Sequence, residues 1–287
     1  IAVYLVLAAM MLDRQPETLV RSLLDELSAD RIEVDMIRFN GPAFKGVDNR
    51  LMSLQLVQHG LSEAAMFKAN GEVVQPSELF YKRSVLVERG SFRPATKVSI
   101  DMLERALVQF LGETKTKREK PLVILEMTLR NLNDQGRINY QDFIDSADLL
   151  GTLGYPVLIS NYDTHYRLAS FLFRHTQKPI GLVMGVPTLR EIFDEKYYAK
   201  LDGGILEAFG RLFKNDLKMY VYPLLENEAD ELVTVDNLAV SKRLRHLYAH
   251  LTGNRHIVGI EKYTEEFLRI FSRDILAKIR KGQAGWE

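Results

Sequence analysis

Short apolar runs alternate along the chain with longer segments of helical period. Seven of the runs read as strands: Ile32–Phe39, Ala64–Lys68, Val85–Arg89, Leu122–Thr128, Val157–Asn161, Ile180–Val186 and Met219–Tyr222. Most are continuously apolar, the pattern of strands buried on both faces, as in parallel sheets covered by helices. Ile32–Phe39 differs, because Glu33 and Asp35 alternate with Val34 and Met36. One face of it meets water or a polar cavity, which predicts a sheet edge.

The segments between carry helix punctuation. Pro16 suits the first turn of a helix through Leu27, and Asp48 precedes a stripe of Leu51, Leu54, Leu56 and Val57 that stops at Gly60. Ser99 opens a helix with Ile100, Leu103, Leu107 and Phe110 on one face; Asp142–Leu153 and Asp163–His175 follow. Pro187 and Gly203 stand before further helical segments. Thr264 is expected to cap a last helix containing Leu268, Phe271, Ile275 and Ile279. Strand–helix–strand alternation of this kind is the signature of βαβ units. The expected fold is α/β: a mainly parallel, open, Rossmann-like sheet of about six to eight strands with helices on both faces. Ile1–Leu12 decides the alternative. As an eighth strand it would give a (β/α)8 barrel; as a helix, which its Ala, Met and Leu residues favour, it leaves the sheet open. No Pro/Gly/Ser-rich linker divides the chain, so residues 1–287 read as a single domain. Glu113–Lys120 reads as a solvated connector and Glu226–Asp236 as an exposed acidic loop.

Composition narrows the classes. The 287 residues are 46% hydrophobic and 26% charged, with 38 basic and 38 acidic side chains. That is globular rather than disordered composition. A net charge of zero supplies no field for nucleic acid or an anionic membrane, so neither is an expected partner. The absence of cysteine removes disulfides, thiolate nucleophiles and cysteine-ligated metals. Ile1–Leu12 is too short to span a bilayer and lacks a basic leader, which leads to the expectation of a cytoplasmic protein forming the C-terminal part of a longer architecture.

Ligands of such folds bind beyond the carboxyl ends of the strands. The loops there hold Arg38, Asn40 and Gly41; Glu88 to Pro94; Glu126 and Thr128; and Ser160 to His165. Arg89 and Arg93 around a Gly-Ser turn suit bidentate recognition of phosphate or carboxylate, although a surface turn with paired arginines has the same sequence. Glu126 lies inside an apolar strand, where burial would raise its pKa and fit it for acid–base work; an ion pair with a neighbouring arginine is the plainer account. His165 falls in the first turn of a helix, where the dipole favours neutral imidazole. Glu126 and His165 are therefore the catalytic candidates. Arg38, Asn40, Arg89, Arg93, Asn161, Gly203 and Gly204 are the candidates for substrate binding, the two glycines because they open a helix.

Other motifs are weak. Ser160, Asp163 and His165 lack the Gly-x-Ser-x-Gly elbow of a hydrolase nucleophile. His246 and His250 have metal-pair spacing, but Leu247 stands where a zincin needs Glu, so a basic helix face is the expectation and no metal is assigned. No motif specifies a cofactor. The function these residues suggest is binding of a small anionic metabolite or nucleotide, with Glu/His proton transfer as its chemistry. A non-enzymatic assembly subunit is the alternative, with Tyr197, Tyr198, Phe209, Phe213 and the last helix as contact face and a homo-oligomer as one outcome.

The chain also resembles a bacterial protein family with no established activity. The likeness rests on Arg31–Phe44, Val47–Val57, Gly71–Lys82, Val85–Pro94, Asp202–Asn215 and Leu244–Leu251. Descriptions attached to that family include TonB-dependent receptor and nicotinate-nucleotide adenylyltransferase. The first would require the many alternating strands of an outer-membrane barrel. The second makes a nucleotidyltransferase a third functional expectation. However, the paired-histidine phosphate motif of those enzymes is absent, and Ile159–Arg167 echoes their Ile-Ser-x-Thr-x-x-Arg motif with wrong spacing. No catalytic residue carries over from the resemblance.

Overall fold

The apolar runs pair as one eight-stranded sheet. Its order is β12 (Ile257–Gly259), β9 (Leu217–Tyr222), β8 (Ile180–Gly185), β3 (Val85–Arg89), β4 (Leu122–Thr128), β7 (Val157–Ser160), β1 (Ala64–Phe67) and β2 (Val73–Val74). This is a computed structural model, and it describes residues 10–12, 15–23, 33–113, 120–134, 136–226 and 231–285. Strands β12–β9, β9–β8, β8–β3 and β4–β7 pair in parallel, whereas β1 runs antiparallel to both β7 and β2. The chain is thus α/β with a mostly parallel sheet and one antiparallel edge. Two small antiparallel hairpins stand apart from it, β5–β6 (Asn133–Asp134, Arg137–Ile138) and β10–β11 (Leu224–Glu226, Glu231–Val233). The second hairpin occupies part of the expected acidic loop, and Arg190 clamps Glu226 with two bonds of 2.5 and 2.7 Å.

The predicted strand at Ile32–Phe39 does not form. Glu33–Asn40 runs without regular structure or sheet pairing. Its alternation has another cause: Val34, Ile37 and Phe39 lie on a cluster of Leu19, Val20, Met52, Leu56 and Leu61, while Glu33 and Asp35 face water. The segment is held by Asn49, which accepts from the Phe39 N–H at 2.7 Å and donates to the Phe39 carbonyl at 3.0 Å. Residues 1–9 of Ile1–Leu12, 24–27 of the first helix and 114–119 of the charged connector lie outside the described residues.

The chain divides into two compact units, Ile1–Leu79 with Leu125–Tyr162, and Phe80–Ile124 with Asp163–Glu287. In the first, α1 (Pro16–Ser22) packs on α2 (Asn49–Gln58), and α2 packs on β1 and β7. Asp48 caps α2 by accepting from the Arg50 N–H at 2.8 Å. The Arg50 guanidinium joins Asp48 at 2.7 Å to Asp148 at 2.5 Å on α6 (Tyr140–Thr152). A short helix α3 (Pro76–Phe80) follows β2, and α5 (Leu129–Leu132) follows β4.

In the second unit α4 (Lys97–Glu113) packs on β3 and β8, starting two residues earlier than the Ser99 signal suggests. Gly181 makes that contact possible, because a Cβ there would lie 2.6 Å from Leu86 and 3.2 Å from Phe110. Helix α7 (His165–His175) packs on α9 (Gly204–Leu212), and α8 (Val186–Ile192) on β8 and β9. Helix α10 (Arg245–Gly253) precedes β12. The last predicted helix is broken. Thr264 precedes a 3-10 turn, Glu265–Arg269, and a separate α11 spans Ser272–Arg280. Thr264 makes no cap; its N–H and hydroxyl both donate to Asp101 of α4 at 3.0 Å. The expected aromatic contact face is partly core, since Tyr198 and Phe209 are buried and pack on one another, with Phe209 also against Phe193.

Candidate functional site

The predicted site residues fall in two groups. Arg38, Asn40, Glu126 and Asn161 belong to the first unit; Arg89, Arg93, His165, Gly203 and Gly204 belong to the second.

In the first unit Glu126 is completely buried in β4 and accepts the Ser160 hydroxyl at 2.6 Å. The parallel register explains the contact: Glu126 pairs with Leu158, so Ser160 lies two residues on along β7, on the same face. Ser160 also accepts from the Tyr162 N–H at 3.4 Å. Its proton is thus committed to a carboxyl oxygen. Asn161 is exposed, with its N–H on the Glu63 carbonyl at 2.9 Å. Arg38 and Asn40 are exposed on the irregular segment rather than on a strand end. Arg38 lies 3.8 Å from Glu72, and Asn40 closes a turn by accepting from the Gly41 N–H at 2.9 Å.

In the second unit Arg89 ends β3 and His165 begins α7. Burial, and then the positive charge of Arg89, hold the His165 imidazole well below its usual pKa. His165 is therefore neutral at physiological pH, as its position in the first helical turn suggests. The residue before it, Thr164, is the N-cap of α7 but makes no side-chain cap bond. Its Oγ1 is buried and has no hydrogen-bond partner. The first N–H groups of a helix have no intrahelical acceptor, so the positive end of α7 lies at the residue on which the Arg89 charge acts.

The loop after β3 is tightly built. Phe92 is 4% exposed and has a left-handed backbone, φ 47°, costly for a bulky side chain. Its ring lies against Gly90, where a Cβ would come within 2.9 Å of the ring carbons. Arg93 is half-buried in the same loop.

Helix α9 fills its own N-terminus. The Gly203 N–H donates to Glu207 at 2.9 Å, Glu207 pairs with Arg211 at 2.6 Å, and Gly204 adopts φ 54°. Both glycines thus serve the turn itself, in which a Cβ at 203 would meet Glu207 at 2.8 Å.

Glu88 is the residue that sequence reasoning passed over. It is 2% exposed, its Oε2 has no hydrogen-bond partner, and burial pushes its pKa well above the ordinary carboxyl value. The sequence signal was available, an acid directly after Val85-Leu86-Val87, but the same signal marks Glu126.

His246 and His250 are exposed on α10, and His246 accepts from Arg245 at 3.1 Å. Among the described residues no group of three His, Asp or Glu side chains is placed to hold a metal ion. No described helix is long and apolar enough to cross a membrane. No known family description and no curated protein matches the chain.

Proposed function

We propose that this protein binds a small anionic metabolite, with phosphate the best-suited group, and that the second unit carries the anion site. The observation that supports the reading is α7: a helix N-terminus without a side-chain cap, a buried Thr164 hydroxyl without a partner, and Arg89 near enough to act on His165. Backbone N–H groups, a hydroxyl and a guanidinium are the donor set that phosphate recognition uses. Arg93, on the loop that follows β3, adds a second guanidinium. Neutral His165 can accept a proton from a bound ligand and return it, and Glu126, held by Ser160, is a second acid–base candidate in the first unit.

A thermal-shift panel of phosphorylated, nucleotide and carboxylate metabolites tests this reading. A hit confined to one phosphorylated class, with the shift reduced in Arg93→Ala, is expected. A panel without any hit would sink it. The assembly reading is favoured by a different observation, the amphipathic α11, in which no residue is buried and Ile279 stays exposed, as does Phe271 just before it. A particle mass that rises with protein concentration and falls in Ile279→Asp would support that alternative.

A further inference from the structure

Glu88 costs the fold stability and returns no hydrogen bond through Oε2. Its position in β3 says what it faces. A Cβ on Gly181 would meet Leu86, Tyr220 and Phe110, so Leu86 projects from β3 toward α4. Side chains alternate along a strand, so Glu88, two residues on, shares that face, while Arg89 leaves on the other. Glu88 pairs across the ladder with apolar Val183, which provides no partner for a carboxyl. Gly90 follows two residues later, and the Phe92 ring closes over it. On its β8 side and beside Gly90 the neighbours of this acid are therefore apolar, and the ring at Gly90 belongs to a residue held in a strained backbone conformation.

We propose that Glu88 is a proton donor to the ligand bound beyond the end of β3, and that Phe92 is the shutter between them. This rests on the anion site proposed above. It adds the substrate class: a compound whose anionic group meets Arg89 and whose neighbouring oxygen, a hydroxyl, carbonyl or ester oxygen, accepts a hydrogen bond from Glu88. One ligand can meet both side chains only past the strand end, where the two faces of a sheet become accessible together. In the donor step the Glu88 O–H bond breaks as the proton passes to the ligand oxygen, and the resulting carboxylate recovers a proton from water when the ligand leaves. Strained, non-hydrogen-bonded groups of this kind concentrate at functional positions because packing alone does not select them.

Infrared difference spectroscopy with inorganic phosphate as the probe tests the proposal. The wild-type protein is expected to show the carbonyl band of a protonated carboxyl, absent from Glu88→Gln, which shifts to lower frequency as phosphate saturates the protein. Phe92→Gly, which relieves the backbone strain and removes the ring, is expected to speed deuterium exchange of that carboxyl by about tenfold or more, a drop of about 1.4 kcal/mol in the opening barrier. If phosphate binds in an Arg89-dependent way while the band stays fixed, Glu88 is not a donor and only this inference falls. An exchange rate unchanged in Phe92→Gly would remove the shutter. If phosphate does not bind, the anion site itself falls, and the donor assignment with it.

Discussion

Glu88 and His165 set opposite pH limits on stability. Glu88 has a folded pKa raised by burial above its ordinary 4.5, so the folded state holds a proton that the unfolded chain releases. Stability then falls as pH rises from about 4.5 toward the raised value. His165 has a folded pKa depressed below its ordinary 6.5, so stability falls as pH drops through that value. Glu88→Gln should thus melt higher than wild type at neutral and alkaline pH, with the gap closing below about pH 4. Melting curves across pH check this, and parallel curves for the two proteins would contradict it. Gly90→Ala should cost about 1–3 kcal/mol in denaturant unfolding, because its methyl group must displace the Phe92 ring. An unchanged midpoint would mean that the ring is not fixed there. Glu88 and Glu126 also mark the limit of sequence reading at this scale. Both follow apolar strand residues, but Glu126 has Ser160 as donor and Glu88 has Val183 opposite, a difference that depends on register.

The elements were legible wherever burial and pairing coincide. Val85–Arg89 and Leu122–Thr128 form strands with the bounds their apolar runs imply, because both faces are covered. Ile32–Phe39 misled because alternation reports one-sided burial, and an irregular segment lying on a helical cluster is buried on one side too. Strand β12 has only three residues, too few for periodicity to register. The last helix breaks between Arg269 and Ser272, and the start of the segment is held by Asp101, which accepts the Thr264 N–H and hydroxyl, a contact between residues 163 positions apart. Two predictions belong here. Asn139 accepts from the N–H groups of Gln141 and Asp142, so Asn139→Ala should destabilise by about 1 kcal/mol in urea unfolding. Asp101→Ala should release the segment before Glu265, seen as faster hydrogen exchange at Thr264 than in wild type. Exchange at the wild-type rate would mean the segment is held by other contacts.

At the scale of the molecule, the parallel sheet was legible because apolar runs alternate with helical segments. Its antiparallel edge was not, because nothing in Ala64–Phe67 states the direction of its neighbours. The consequence for the site is direct. Arg38 and Asn40 were expected at a strand end and lie on an irregular segment of the first unit, whereas Arg89 and His165 lie in the second unit, where the charge of one acts on the other. The proposed function therefore depends on an anion site at Arg89 and the start of α7. Calorimetric titration of inorganic phosphate into wild type and Arg89→Ala tests it most directly. Saturable binding should weaken about 10–100-fold in the variant, the loss of a charge-assisted hydrogen bond of about 1.5–3 kcal/mol. Equal affinity in the two proteins, or no binding to wild type, would mean that Arg89 and α7 form no such site.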